Sequence, residues 1–172
     1  MQKVNSLQAK WRNVVFFFTT ALLLVAADQL SKLWIRSNLA RGESLFEVGF
    51  FRLTRVHNTG AVFGLFQGQS FLLTIIALVG VAALLLYALL FHRTLPFLGT
   101  WLGKLAFGLV LGGTVGNLID RIYLGYVTDF IAVGIWPAFN IADSAIVIGV
   151  SIFIYSLIGL ARAGERSDGQ GI

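Results

Sequence analysis

Residues 71–91 read FLLTIIALVGVAALLLYALLF and carry no charge. At about 1.5 Å of rise per residue, a helix needs about 20 apolar residues to cross the hydrocarbon of a bilayer. This stretch has that length and offers water almost nothing to bind. Three further segments share its character. Residues 14–35 are apolar up to Ala27 and then admit Asp28, Gln29 and Lys32; residues 101–119 hold only Lys104; residues 141–160 hold only Asp143, near their start. The whole chain agrees. Of 172 residues, 57% are hydrophobic and 12% charged, where soluble domains hold about 25% charged residues, and the mean hydropathy is +0.82. The expected class is membrane α-helical, with residues 1–172 forming a single integral membrane domain of four transmembrane helices.

The first segment has a rival reading as a cleavable signal peptide, because Val25, Ala26 and Ala27 are a run of small residues. Its continuation through Leu30–Ile35 favours a retained helix. Four spans leave both termini on one side. With the termini in the cytoplasm, the inner segments hold Lys3, Lys10, Arg12, Arg93, Lys104, Arg162 and Arg166, and the outer loops hold Arg36, Arg41, Arg52, Arg55 and Arg121. That bias favours cytoplasmic termini. The net charge of +5 fits loops beside anionic headgroups; the basic residues form no cluster, which argues against nucleic acid as a partner. There is no cysteine, hence no disulfide or thiol chemistry, and His57 and His92 alone argue against a zinc site. No cofactor is expected.

The outer loops, 36–70 and 120–140, are not hydrophilic. Residues 45–56 (LFEVGFFRLTRV) are aromatic and β-branched with partial alternation, which predicts short strands. The second loop is again rich in Phe, Ile, Val and Trp, and both are expected to lie on the bilayer surface and cover something. The tail, 163–172 (AGERSDGQGI), is polar and Gly-rich and expected to be disordered.

Against this background the polar residues stand out, since a carboxylate at membrane depth costs around 3 kcal/mol or more. Asp28 and Lys32 are spaced i, i+4 with the acid first, the better orientation for an ion pair. A structural pair and an indirect role in a site both fit. Ser31 beside Lys32 suggests a Ser/Lys dyad, but adjacent helical residues face different ways. Asn117, Asp120 and Arg121 share a helix face, and Asp120 with Arg121 could form a simple interfacial ion pair. Gly108, Gly112 and Gly116, every fourth residue, allow a second helix to approach closely. Asn140 and Asp143 have the spacing of a helix cap and its reciprocal acid. Asp129, in a run of strand-forming residues, has no helix start to cap. Two acids brought together would share one proton and could activate a water for attack on an amide. From these residues alone, three readings stay open: aspartyl hydrolysis, a proton-coupled carrier using the acids as relays, and a non-catalytic assembly subunit held by the glycine stripe.

Five blocks in order narrow the choice: DQLSK at 28–32, HNTGAVFG at 57–64, GGTVGNLIDR at 112–121, VTDF at 127–130 and FNIADS at 139–144. Their order and the hydrophobic spans between them resemble the bacterial lipoprotein signal peptidases, or signal peptidase II. The resemblance covers most of the chain. It implies four helices with a small extracytoplasmic β region and a surface helix over the cleft, in the bacterial inner membrane, with cytoplasmic termini and the active site near the extracytoplasmic face. It also implies an aspartic endopeptidase that removes the signal peptide from diacylglyceryl-modified prolipoproteins, cutting just before the lipidated cysteine. The implied catalytic pair is Asp129 and Asp143. Asn58, Asn117, Asp120, Arg121 and Asn140 would line or support the site, with Asp28 and Lys32 as supporting residues of the first block. The implied partners are the prolipoprotein and membrane lipid, with no metal and a monomeric protein. One departure stands: the connection from VTDF to FNIADS, with AVGIWPA in its middle, is shorter than in many relatives, which bears on the shape of that flank.

Overall fold

The computed structural model describes residues 2–61, 65–90 and 100–168. Helix α1 spans Gln2–Asn38, followed by strands β1 (Ser44–Val48) and β2 (Phe51–Asn58), helix α2 (Ser70–Leu90), helix α3 (Trp101–Leu124), strand β3 (Val127–Val133) and helix α4 (Ile141–Asp168). Val62 to Gly64 of the HNTGAVFG block, Phe91 at the end of the second expected span, His92, weighed above for zinc, Arg93 of the inner segments, and residues 169–172 of the tail lie outside the described residues.

Among the described residues, three helices are long and apolar enough to cross a membrane: Val14–Asn38, Trp101–Leu124 and Ile141–Gly159. The charge-free stretch is helical as expected, and α2 has 21 residues, Ser70–Leu90. Many large apolar side chains point outward, among them Leu22 and Leu23 on α1, Ile76 and Val79 on α2, and Val147 and Tyr155 on α4. Lipid, not water, suits such a surface.

Helix α3 is the centre, packing against α1, α2 and α4. Its glycine stripe makes the contacts possible. A Cβ on Gly108 would lie 2.8 Å from Thr20 Cβ, one on Gly112 would lie 2.8 Å from the Ala21 carbonyl oxygen, and one on Gly113 would lie 2.5 Å from that of Ala142. Phe17, Ala21 and Leu111 form the buried cluster between α1 and α3, with Val81, Leu84 and Leu85 of α2 against it.

The strand expectation holds. β1, β2 and β3 form one antiparallel sheet in that order. Val56 pairs with Asp129, His57 with Thr128 and Asn58 with Val127. A second cluster, Ile35, Leu39 and Phe130 with Leu53, Ile131 and Ile141 packed against it, seats the sheet on the ends of α1 and α4.

Several features differ from expectation. Helix α1 runs from Gln2 to Asn38, beyond the expected 14–35, so Arg36, expected in the outer loop, is helical. Helix α3 runs past the end of the expected span at 119 to Leu124, and Asp120 and Arg121 are helical, as their shared face with Asn117 requires. No breaker intervenes before Gly125, which caps the helix in the left-handed conformation at φ 76°. Helix α4 continues to Asp168, so the first part of the tail expected to be disordered, residues 163–168, is helical. Ala163, Glu165 and Arg166 are all good helix formers. Finally, no surface helix occurs among the described residues between β2 and α2, which form turns. Phe66 and Gly68 both take positive φ, 58° and 78°, and such residues cannot continue a right-handed helix.

Candidate active site

Asp129 lies on β3 with its side chain buried. Strand pairing to β2 sets its position, and the chain then turns back: Phe130 and Ile131 N–H groups donate to the Phe139 carbonyl at 3.0 and 2.8 Å, and Phe139 N–H donates to that of Ile131 at 2.9 Å. This tight return brings Asn140, at the start of α4, beside Asp129. The short connection therefore acts as a clamp.

Asn140 is fully buried and joins everything around it. Its Oδ1 accepts the Asp143 N–H at 2.9 Å, and the Asp143 Oδ2 accepts the Asn140 N–H at 3.2 Å. This is the reciprocal helix cap expected from the spacing. The Asn140 amide is free to do more. Its Nδ2 donates to Asp129 Oδ1 at 2.7 Å and to Asn117 Oδ1 at 3.0 Å. Asn117 Nδ2 in turn donates to Asp143 Oδ1 at 2.7 Å, and Asn58 Nδ2 donates to Asp129 Oδ2 at 2.9 Å. All four oxygens of the two acids thus accept an N–H. Two of these donors come from Asn140 itself, so the cap and the acid pair are one construction.

Behind Asn117 lies a buried charge cluster. Lys32 Nζ is 2.8 Å from Asp28 Oδ2, 3.4 Å from Asp120 Oδ2, and donates to Asn117 Oδ1 at 2.9 Å. Asp28 Oδ1 accepts the Ala142 N–H at 3.0 Å, so an acid on α1 caps the first turn of α4. The pairing of Asp28 with Lys32 matches the i, i+4 reading. The simple Asp120–Arg121 ion pair does not form. Asp120 instead faces Lys32 and Arg36 Nη1, the latter at 3.3 Å, and accepts the Thr128 N–H at 2.8 Å. Neighbours on a helix diverge by about 100°, and Arg121 Nη2 reaches the Gly60 carbonyl at 3.2 Å. Asn58 Oδ1 accepts the Gly60 N–H at 2.9 Å, so Arg121 joins the site through this turn. The Ser31 hydroxyl donates to the Asp28 carbonyl at 2.8 Å, which removes a Ser/Lys dyad.

Gln29, Arg36 and Thr128 are site residues that the sequence reading does not single out. Gln29 Nε2 donates to the Gly116 carbonyl at 3.0 Å, and Arg36 Nη1 to Thr128 Oγ1 at 3.2 Å. A signal for Arg36 exists: Asp28, Lys32 and Arg36 repeat every four residues and mark one polar face. Thr128, an uncharged strand residue, gives none.

Burial and the neighbouring Asp143 charge raise the Asp129 carboxyl from its ordinary value to about 7, against the lowering effect of Asn58 and Asn140. Near neutrality this acid can keep a proton. His57 stacks on Tyr126 with ring centroids 3.7 Å apart, and burial with the Arg55 and Arg41 charges lowers its pKa. Among the described residues no three His, Cys, Asp or Glu side chains converge to hold a metal ion. The polar groups of α1, α3 and α4 meet at one end of these helices, and α2 bears no charge.

The chain is thus a helical membrane protein in which Asn140 joins a strand acid to a helix acid. Residues 20–159 match the family model described as Signal peptidase (SPase) II, and the chain belongs to that family. Similar proteins include a lipoprotein signal peptidase of Dehalococcoides mccartyi, 48% identical over 91% of this chain and 98% of its own. Another, from Moorella thermoacetica, is 47% identical over 87% of this chain and 96% of its own. A solved bacterial membrane enzyme superposes with a TM-score of 0.74 at 31% identity, covering 83% of this chain and 87% of its own.

Proposed function

We propose that the protein removes signal peptides from diacylglyceryl-modified prolipoproteins, cutting just before the lipidated cysteine with a water held between Asp129 and Asp143. The observation that carries this reading is the shared tether: Asn140 contacts both acids, at Asp129 Oδ1 and at the Asp143 N–H and Oδ2. A raised Asp129 pKa of about 7 suits a pair holding one proton, with Asp129 protonated and Asp143 the base.

In the first step the water oxygen attacks the scissile carbonyl carbon, Asp143 takes the water proton and Asp129 donates its proton to the carbonyl oxygen. In the second, the C–N bond breaks as Asp143 passes its proton to the leaving nitrogen and Asp129 recovers one from the collapsing diol. The products are a carboxyl on the signal peptide and the amino group of the lipidated cysteine. Asn58, Asn117 and Asn140 hold the acids in place, and Arg121 orients substrate carbonyls. The working arrangement is a monomer with α2 as a fourth span, cytoplasmic termini, and the site near the extracytoplasmic face of the bacterial inner membrane. The outward apolar helix faces receive the signal helix and acyl chains.

The test is gel-shift processing of a diacylglyceryl prolipoprotein by purified protein, beside the unlipidated precursor and the Asp129→Asn and Asp143→Asn variants. Cleavage of the lipidated form alone, lost in both variants, is expected. Equal cleavage of both precursors would remove the lipid-dependent reading, and normal turnover by either variant would remove the dyad.

A further inference from the structure

We infer that the Asp28–Lys32 ion pair on α1 is a positioning device for Asp143, acting through Asn117 and through the first turn of α4. The inference rests on the dyad reading above and assigns these two residues a part in the reaction without contact to substrate.

A side-chain amide has a donor end and an acceptor end, and its rotation by half a turn exchanges them. Asn117 faces Asp143 with its donor, Nδ2, at 2.7 Å. The reversed amide would set an oxygen against a carboxylate oxygen. What holds it is the other end: Oδ1 accepts from Lys32 Nζ at 2.9 Å and from Asn140 Nδ2 at 3.0 Å. Lys32 is fully buried and donor-only, so the oxygen of Asn117 must face it. A charged donor makes the stronger of the two bonds. The cation therefore decides which atom of Asn117 meets the reacting acid.

Asp28 completes the device from the other side. Its Oδ2 holds Lys32 at 2.8 Å, and its Oδ1 accepts the N–H of Ala142, the residue before Asp143. Gly116 leaves the room for it, since a Cβ there would lie 2.6 Å from Asp28 Oδ2. One carboxylate thus sets both the lysine that orients Asn117 and the backbone that carries Asp143. The charged groups facing this cluster are Asp28, Lys32 and Arg36 from α1, Asp120 from α3, Asp129 from β3 and Asp143 from α4.

A purely structural ion pair makes a different prediction. Replacing both buried charges by neutral groups of similar shape is often harmless to stability. In the double variant Asp28→Asn with Lys32→Met, residue 28 still offers an oxygen to Ala142, and Asp120 keeps Arg36. The charged donor to Asn117 is lost together with the Lys32 contact to Asp120, and Asn140 Nδ2 is left as the one donor to Asn117 Oδ1 among the described residues. In the companion, Asp28→Asn with Lys32→Gln, an amide N–H can replace that donor. The experiment measures kcat, KM and thermal midpoint of both double variants on a diacylglyceryl prolipoprotein, with Asp129→Asn and Asp143→Asn alongside.

The expected result is a folded Met variant with unchanged KM and a kcat lower by roughly 10- to 100-fold, the scale of a misplaced catalytic group, partly restored in the Gln variant. Equal kcat in the two folded double variants, or wild-type kcat in the Met variant, would overturn the inference. If the Met variant does not fold, the Gln variant decides: kcat within a few-fold of wild type supports the role, and a folded but inactive protein overturns it. Inactive aspartate variants beside a fully active Met variant would remove the positioning role alone; active aspartate variants would remove the dyad itself.

Discussion

The Asn140 side chain donates to Asp129 Oδ1 across 2.7 Å while its oxygen accepts the Asp143 N–H at 2.9 Å. One residue is both the cap of α4 and the strap between a strand acid and a helix acid. The two duties separate by substitution. Ser is about as good an N-cap as Asn but cannot reach Asp129. Asn140→Ser should therefore keep the cap, lose the buried bonds to Asp129 and Asn117, and lose most of its kcat. Asn140→Ala should lose the same activity and melt about 1 kcal/mol below the Ser variant, the worth of the cap. Thermal melts and cleavage rates on the same preparations check this, and a fully active Ser variant would contradict it.

The pH dependence has a defined direction. The Asp129 carboxyl titrates at about 7 when folded, against an ordinary value of 3.8. Between these values the folded protein holds a proton that the unfolded chain has released, so its stability falls as pH rises through the window. Below 3.8 the stabilising contribution is fully present, and above 7 it is gone. Melting in nanodiscs should show a midpoint that declines from about pH 5 to about pH 7.5 on this account, and Asp129→Asn should flatten that slope. In the proposed reaction the protonated form is the active one, so kcat/KM should decline above about pH 7. A rate that keeps rising through about pH 8 would oppose the assignment of Asp129 as the proton holder.

The glycines of α3 should not be equivalent to those elsewhere. A Cβ on Gly113 would meet the Ala142 carbonyl oxygen at 2.5 Å, a backbone atom that cannot move aside, while Gly80 on α2 has nothing within 4 Å. Gly113→Ala should cost about 1–3 kcal/mol as overpacking and should displace the start of α4, lowering activity as well. Gly80→Ala should be neutral or slightly stabilising because alanine favours the helix. Side-by-side melting and cleavage assays distinguish the two, and equal behaviour would contradict the packing of α3 on α4.

Arg55 ties the sheet to the end of α1. Its Nη1 donates to the carbonyls of Arg36 and Leu39 at 3.1 and 2.8 Å. Both oxygens lie at the helix end, where no intrahelical partner is available. Arg55→Met should cost about 1.5–3 kcal/mol, the range for hydrogen bonds from a charged group, while leaving KM for the lipidated substrate nearly unchanged. A melt of this variant equal to wild type would show the contacts to be dispensable.

Hydropathy makes the helices legible because the bilayer demands long apolar runs, and the glycine and cap spacings give the packing of α3 and the start of α4. Local pattern also places Asp129 on a strand. Less legible is what depends on distant pairing. Adjacency in the chain pairs Asp120 with Arg121, whereas the fold turns it to Lys32 and Arg36. Thr128 carries no charge, and its part in the network follows only from the seating of β3 against α1. The helix ends escape for another reason. Polar residues such as Asp120, Arg121 and Glu165 interrupt hydropathy without interrupting helical backbone, so a span and a helix need not end together.

The cap that Asp28 places on Ala142 joins the earliest helix to the latest. A ribosome makes α1 first and α4 last, so during synthesis Asp28 and Lys32 wait beside each other while most of the chain emerges. Asp129 arrives before its partner acid and before Asn140. On the proposed mechanism the acid pair is therefore absent from every nascent chain that still lacks α4, and a membrane full of half-made copies would cleave nothing.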